Sequence, residues 1–221
     1  MRERARSAED KAQRSQELLA AAEAVVLELG GVRYTTLAAI TERAGLHRTG
    51  VRRYYTSKEE LLLELAERQW HRWADDVQAA VAATPDCGGQ MQPVRIATIL
   101  AETISALPVF CDLLTHAAMS LENDASTERA HRYKTSAFAA HDRLVSALEA
   151  AGVMTTGQLL NLVTATISLA AILWQVSHPG PSLAALYQQE PTWAHAALDF
   201  EPRLTTILQA TATGLARQAA A

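Results

Sequence analysis

Cysteine, proline and glycine are scarce in this chain. There are 2 Cys, 7 Pro and 10 Gly among 221 residues. Cys87 and Cys111 cannot form a disulfide framework, and no Cys-x-x-Cys pair is present. So few turn residues argue against an all-β sandwich or barrel, which needs a turn signal every few residues. Strand-forming Val and Ile number 12 and 7, against 43 Ala and 28 Leu, the leading helix formers. The seven histidines include no pair three or four positions apart, so no helical metal site is visible and no cofactor is expected. A long hydrophobic run is also lacking. The most apolar stretch, 159–176, is broken by Asn161, Thr164, Thr166, Ser168 and Gln175, and reads as a buried helix and not a membrane span. The first residues are charged and lack the apolar centre of a signal peptide. A soluble, cytoplasmic protein without a membrane partner is expected. Charge of one sign is missing too: the formal net charge is −4, which taken whole gives no reason to expect nucleic acid.

The chain itself reads as a series of helices. Ser7 with Asp10 looks like a helix start, and apolar residues recur at Leu19, Ala22, Val26 and Leu29 until Gly30-Gly31. Thr35-Thr36 can cap a short second helix through Arg43, and Gly45 ends it. A third short helix is expected over about 47–54. Ser57-Lys58-Glu59-Glu60 reads as a capping box opening a fourth helix that runs to about Ala83. After a linker at 84–89, helices are expected at about 91–107, 109–120, 126–151, 156–177 and 202–219. His178-Pro179-Gly180-Pro181 is a break, followed by irregular or short helical chain to Pro202.

Charge is distributed unevenly along this series. From Arg33 to Lys58 there are six basic residues and one acid, Glu42. A basic patch on a short helix, turn and short helix is the electrostatic footprint of a DNA reader. Leu37, Ile40 and Ala44 form an inner face, and Leu46 and Val51 can pack the next segment on it. Arg48, Thr49, Gly50, Arg52 and Arg53 are left facing outward. Arginine can bind guanine O6 and N7 together, and threonine can meet a base edge or a thymine methyl. Tyr54, Tyr55 and Lys58 are placed to reach phosphates.

The stretch from Thr35 to Leu62, TTLAAITERAGLHRTGVRRYYTSKEELL, resembles the DNA-binding module of the TetR family of transcriptional regulators. Thr35, Thr36, Ile40, Ala44, Gly45, Leu46, Val51, Tyr55, Ser57, Lys58, Glu59 and Leu61 carry the resemblance. The chain departs from the family pattern at Thr49-Gly50, whose order is inverted, at Arg52 in place of a common Tyr, and at Tyr54 in place of a common His. The resemblance implies an all-α fold. A helix-turn-helix domain would occupy 1–57, and a helical ligand-binding and dimerisation domain 58–221. It further implies a homodimeric repressor on a palindromic double-stranded DNA operator, released by a small-molecule effector. The expected DNA-facing set is Thr35, Thr36, His47, Arg48, Thr49, Gly50, Arg52, Arg53, Tyr54 and Lys58. A second reading, prompted by Gly50 and Arg52, is a small-molecule binding protein with weak or non-specific DNA binding.

An effector pocket would be apolar with a few polar groups. Trp70, Trp73, Ile104, Leu107 and Phe110 are candidates for its lining, with Leu114, Met119, Phe138, His141 and Trp174. Few carboxylates lie among them, which argues for a neutral or apolar effector. Helix 156–177 is apolar nearly all round and so needs cover on every side. Leu160 and Val163 on it, with Leu204, Leu208 and Leu215 on the last helix, are the expected dimer contacts. No nucleophile–base set, phosphate loop or metal set is present. Asp75-Asp76 and His141-Asp142 are helix neighbours that do not face each other, so an enzyme is not expected.

Overall fold

The computed structural model describes residues 2–47, 50–84, 90–196 and 199–218, without the side chains of 2–10 and 194–196. The described chain is built of helices: α1 (Arg2–Leu29), α2 (Leu37–Arg43), α3 (Lys58–Ala83), α4 (Pro93–Ser105), α5 (Pro108–His116), α6 (Glu122–Asp124), α7 (Thr127–Ala151), α8 (Thr156–Ser177), α9 (Pro181–Gln189) and α10 (Phe200–Gln218). No strand occurs among the described residues.

Local chemistry accounts for the helix ends. Thr36 caps α2 by accepting the Ala39 N–H at 3.1 Å. Ser57 caps α3 by accepting the Glu60 N–H at 3.2 Å, and the Glu60 carboxylate accepts the Thr56 N–H at 3.0 Å. The reciprocal bond therefore falls one residue before the cap. Thr155 and Gln158 form a full capping box at the start of α8. Pro93, Pro108 and Pro181 each sit in a first turn, where no N–H is needed. Gly45, at φ 64°, makes the reversal after α2 that a residue with a Cβ would resist.

Two expectations about these elements need correction. Ser7 does not start α1, which already runs from Arg2, so the Ser7–Asp10 signature lies inside a helix. The third helix expected at 47–54 is, among the described residues, a 3₁₀ turn at Val51–Arg53 preceded by Gly50 in helical geometry. Residues 181–189, within the stretch expected to be irregular or short helical chain, form the short helix α9. The linker residues 85–89, Cys87 among them, lie outside the described residues.

The core has an aromatic centre. Trp70 and Trp73 of α3 meet Phe110 of α5 at centroid distances of 5.2 and 5.9 Å, and each other at 5.7 Å. Trp73 Nε1 donates to Thr103 Oγ1 at 3.1 Å, which satisfies its polar edge inside the core. Around this centre α3 packs on α7, and α10 packs on α4 and α8. Cys111 sits in the same core. Its Sγ contacts the Ile104 carbonyl at 3.3 Å, and burial pushes the thiol up to about 12, so it is not a nucleophile near neutral pH.

Replacing fully buried Phe110 by Ala would remove the ring that both tryptophans touch. A loss of about 3–5 kcal/mol is expected. It would be read from urea unfolding, as a lower midpoint at unchanged slope.

Candidate nucleic-acid interface and effector cavity

The N-terminal head is assembled from α1, α2, the 3₁₀ turn and the start of α3. Ile40, Val51 and Tyr55 are buried at its centre. Tyr55 Oη and Ser15 Oγ are 2.6 Å apart, and Ser15 Oγ donates to Glu64 Oε1 at 3.2 Å, tying α1 to both ends of this segment. Burial raises the Tyr55 phenol, so it stays neutral.

That packing decides which polar residues face out. Arg52 and Arg53 are exposed, Tyr54 and Lys58 are half-buried, and Lys58 opens α3. Arg33 lies 4.7 Å over the Tyr34 ring. Arg43 is held by Glu28 of α1, so part of the charge of the basic window is neutralised within the head. Gly50 lies at the start of the turn, where an added Cβ would come within 3.1 Å of the His47 carbonyl oxygen. His47 is exposed beside it. Arg48 and Thr49 lie outside the described residues. Thr35 has a different place from the one expected: it is buried, and its Oγ1 donates to the Gly31 carbonyl at 3.1 Å. Thr36 spends its side-chain oxygen on the α2 cap. Thr35 shapes the head from within, whereas Thr36 is exposed at the start of α2.

A separate cavity of about 380 Å³ opens between α3, α5, α7 and α8. Trp70, Leu114, Ala117, Met119, Ile167 and Ile172 give it an apolar wall. Beyond His116 the chain widens into one turn of π-helix, Ala117–Leu121, which forms part of this wall. Such insertions are frequent at functional sites. Trp70 Nε1 donates to Tyr133 Oη at 3.3 Å at the cavity's inner end, where burial raises the Tyr133 phenol to about 12. At its rim Lys134 Nζ and Glu122 Oε2 pair at 2.8 Å.

The expected ligand residues divide sharply. Trp70, Leu114 and Met119 line this cavity. Trp73, Ile104, Leu107 and Phe110 are buried core residues that do not border it. Phe138 is 63% exposed on α7, and His141 turns to Asp142 Oδ1 at 3.3 Å; neither borders the cavity. Trp174 faces a smaller void of about 260 Å³ next to the head, where it stacks on His178 at 3.7 Å. Tyr133, Lys134, Glu122, Ser168 and Ala171 were missed. The inward phase of α7, through Arg129, Tyr133, Ala137 and Ala140, points to Tyr133, whereas residue type alone points to Phe138 and His141.

Among the expected dimer residues, Val163, Leu204 and Leu208 are fully buried within the single chain, because α8 and α10 pack on each other and on α4 through these positions. They cannot meet a partner. Leu160 is 42% exposed, and Leu215 is partly buried. Helix α8 is long and apolar enough to cross a membrane, yet it packs between α5, α7 and α10. In the single chain, Leu160, Ile172 and Val176 remain exposed on it.

Where α5 passes under the head, Asp112 is buried. Its Oδ2 accepts the Val32 backbone N–H at 2.6 Å and its Oδ1 accepts Gln175 Nε2 at 2.7 Å, while His116 Nε2 lies 3.5 Å from Oδ1. Burial pulls this carboxyl upward, but the His116, Val32 and Gln175 contacts outweigh it and hold Asp112 below the usual carboxylate range.

A basic helix-turn-helix head on a helical domain with its own apolar cavity is the arrangement of a DNA-binding regulator. Residues 18–65 match the family model for bacterial regulatory proteins of the tetR family, and residues 67–219 match that of the tetracyclin repressor-like C-terminal domain. The chain belongs to the tetR family. Among the solved structures that its fold resembles are two regulators. One is the transcriptional regulator FadR from Bacillus subtilis in complex with stearoyl-CoA, at 10% identity and a TM-score of 0.51, over 90% of this chain and 96% of that one. The other is the fatty acid degradation regulator FadR from Bacillus halodurans, at 13% identity and a TM-score of 0.53, over 91% and 94%. No curated protein matches the sequence.

A depressed carboxyl adds stability that is present above its unfolded value and lost as pH falls through the folded one. The stability difference between the native chain and Asp112→Ala should therefore be constant near neutral pH. It should shrink as pH drops below about 4, the ordinary Asp value. Urea unfolding of both proteins at pH 7 and pH 3 checks this.

Proposed function

We propose that the chain is a dimeric repressor that binds a palindromic operator through its head and releases it when a small molecule fills the cavity between α3, α5, α7 and α8. One observation carries this reading: the outward basic surface and the apolar cavity are separate sites that share one helix. Lys58 stands in the first turn of α3, and Trp70 stands on the cavity wall of the same helix. In this reading Arg48, Thr49, Gly50, Arg52 and Arg53 enter the major groove, with His47 beside them. Tyr54 and Lys58 take phosphates. The cavity lies within the size range of small-molecule sites, and its wall suits an apolar effector. The stearoyl-CoA bound to Bacillus subtilis FadR makes that thioester the first probe to try. Pairing through the open face of α8, with Leu160, Ile172 and Val176, would cover the apolar surface that one chain leaves bare. Leu215 on α10 belongs to the same proposed interface.

Gel shifts with the DNA flanking its own gene should show a specific complex, and stearoyl-CoA should dissolve it. Lys58→Ala should weaken binding to all DNA sequences alike and lower the salt slope by about one. Equal affinity for flanking and random DNA would instead mark a small-molecule binding protein with a non-specific head. Ile172→Glu should turn a dimer into a monomer in sedimentation equilibrium; an unchanged mass would put the interface elsewhere.

A further inference from the structure

We propose that Asp112 is the residue that positions the DNA head against the effector domain and carries the state of the cavity to it. This rests on reading the chain as an effector-controlled regulator. The head is already held to α3 by side chains of α1: Arg68 donates to Gln16 at 2.8 Å, and Gln69 to Glu23 at 3.0 Å. Asp112 provides a second hold, on a different helix and just beyond the C-terminal end of α1. Its partner, Val32, follows Gly30 and Gly31, at φ 75° and 143°. These are conformations that a side chain disfavours, and a Cβ on Gly31 would come within 3.2 Å of the Asp112 Oδ2. The turn after α1 is thus shaped to set a backbone donor on this carboxylate. Tyr34 adds a lesser contact, its Oη lying 2.9 Å from where a Gly180 Cβ would be.

The other side of Asp112 leads to the cavity. Gln175, which donates to Oδ1, also lies 3.4 Å from Thr115 Oγ1. Thr115 Oγ1 in turn donates to the Ala171 carbonyl at 2.7 Å. Thr115 and Ala171 both line the cavity, one on α5 and one on α8. Cavity wall, Gln175, Asp112 and the Val32 amide form one continuous series of polar contacts, so an occupant that spreads α5 from α8 shifts Gln175 against Asp112 and loosens the head. The smaller void of about 260 Å³ borders this joint, with Leu27, Gly31, Val109 and Trp174 around it. It gives the joint room that a close-packed core would deny it.

The test needs neither DNA nor effector. Spin labels on exposed Glu42→Cys in the head and exposed Ser146→Cys on α7, with Cys87→Ser in the background, report the head's position within one chain, diluted with unlabelled chain. Amide exchange at Val32 reports the hydrogen bond. The native protein should give one narrow distance distribution. Asp112→Ala should broaden it and speed Val32 exchange about tenfold or more, the worth of a hydrogen bond to a charged group. Helical circular dichroism should not change. Gln175→Leu should broaden the distribution too, with Val32 exchange less affected. Asp112→Asn keeps a carbonyl for Val32 but sets an amide donor against Gln175, so Val32 exchange should return close to the native rate while the distribution stays as broad as in Gln175→Leu; a merely structural role would not separate the two readouts. An unchanged distribution in both Asp112→Ala and Gln175→Leu overturns the proposal, and should Asp112→Ala fail to fold, Gln175→Leu decides alone. A chain that bound no operator would defeat the regulator reading without altering any of these distances.

Discussion

One continuous helix, α3, serves two sites, and the rest of the molecule is arranged around that constraint. Ser57 caps it beneath the DNA head, and 12 residues separate Lys58 from Trp70 on the cavity wall. A helix is stiff over that length, so whatever tilts Trp70 tilts the ground under the recognition segment. The aromatic contact of Trp70 and Trp73 with Phe110 fixes α3 to α5. Asp112, one turn or less further along α5, grips the turn after α1. The head is thereby held at two points on two helices, and the cavity lies between those same helices. Two discrete arrangements of such a joint are enough for a coupling of about 1–3 kcal/mol between sites.

Net charge illustrates how an average conceals this arrangement. A formal −4 for the whole chain discourages any thought of DNA, yet the acids lie mostly outside the window from Arg33 to Lys58. Inside it, Glu28 takes up Arg43, and Arg52 and Arg53 remain exposed.

The short-range chemistry was legible in the sequence and the long-range chemistry was not. The Thr36 cap, the Ser57–Glu60 pair and the Gly45 reversal depend on neighbours within four residues; the cap and the reversal form as the sequence suggests, and the Ser57–Glu60 pair forms with its return bond on Thr56, one residue before the cap. The buried faces of α8 and α10 were read as apolar, correctly, but assigned to a partner: periodicity marks a face as covered without saying what covers it. Leu204 and Leu208 turned inward, and Ile172, noted by no motif, faces out. Phe138 and His141 looked like ligand residues by type, but the helical phase of α7 put Tyr133 and Lys134 at the cavity instead. Asp112 carried no signal at all, because its partner Val32 is 80 positions away. A lone acid in an apolar helix becomes intelligible only when the fold brings a backbone donor to it.

The central claim is that two such heads, held at a set angle, read a symmetric site. Nuclease footprinting of the DNA flanking the gene tests it most directly. The account predicts one protected region with two-fold symmetry, its half-sites about one helical turn apart or somewhat more, about 34–36 Å per turn. Protection without symmetry, or none at concentrations that coat random DNA, would contradict it.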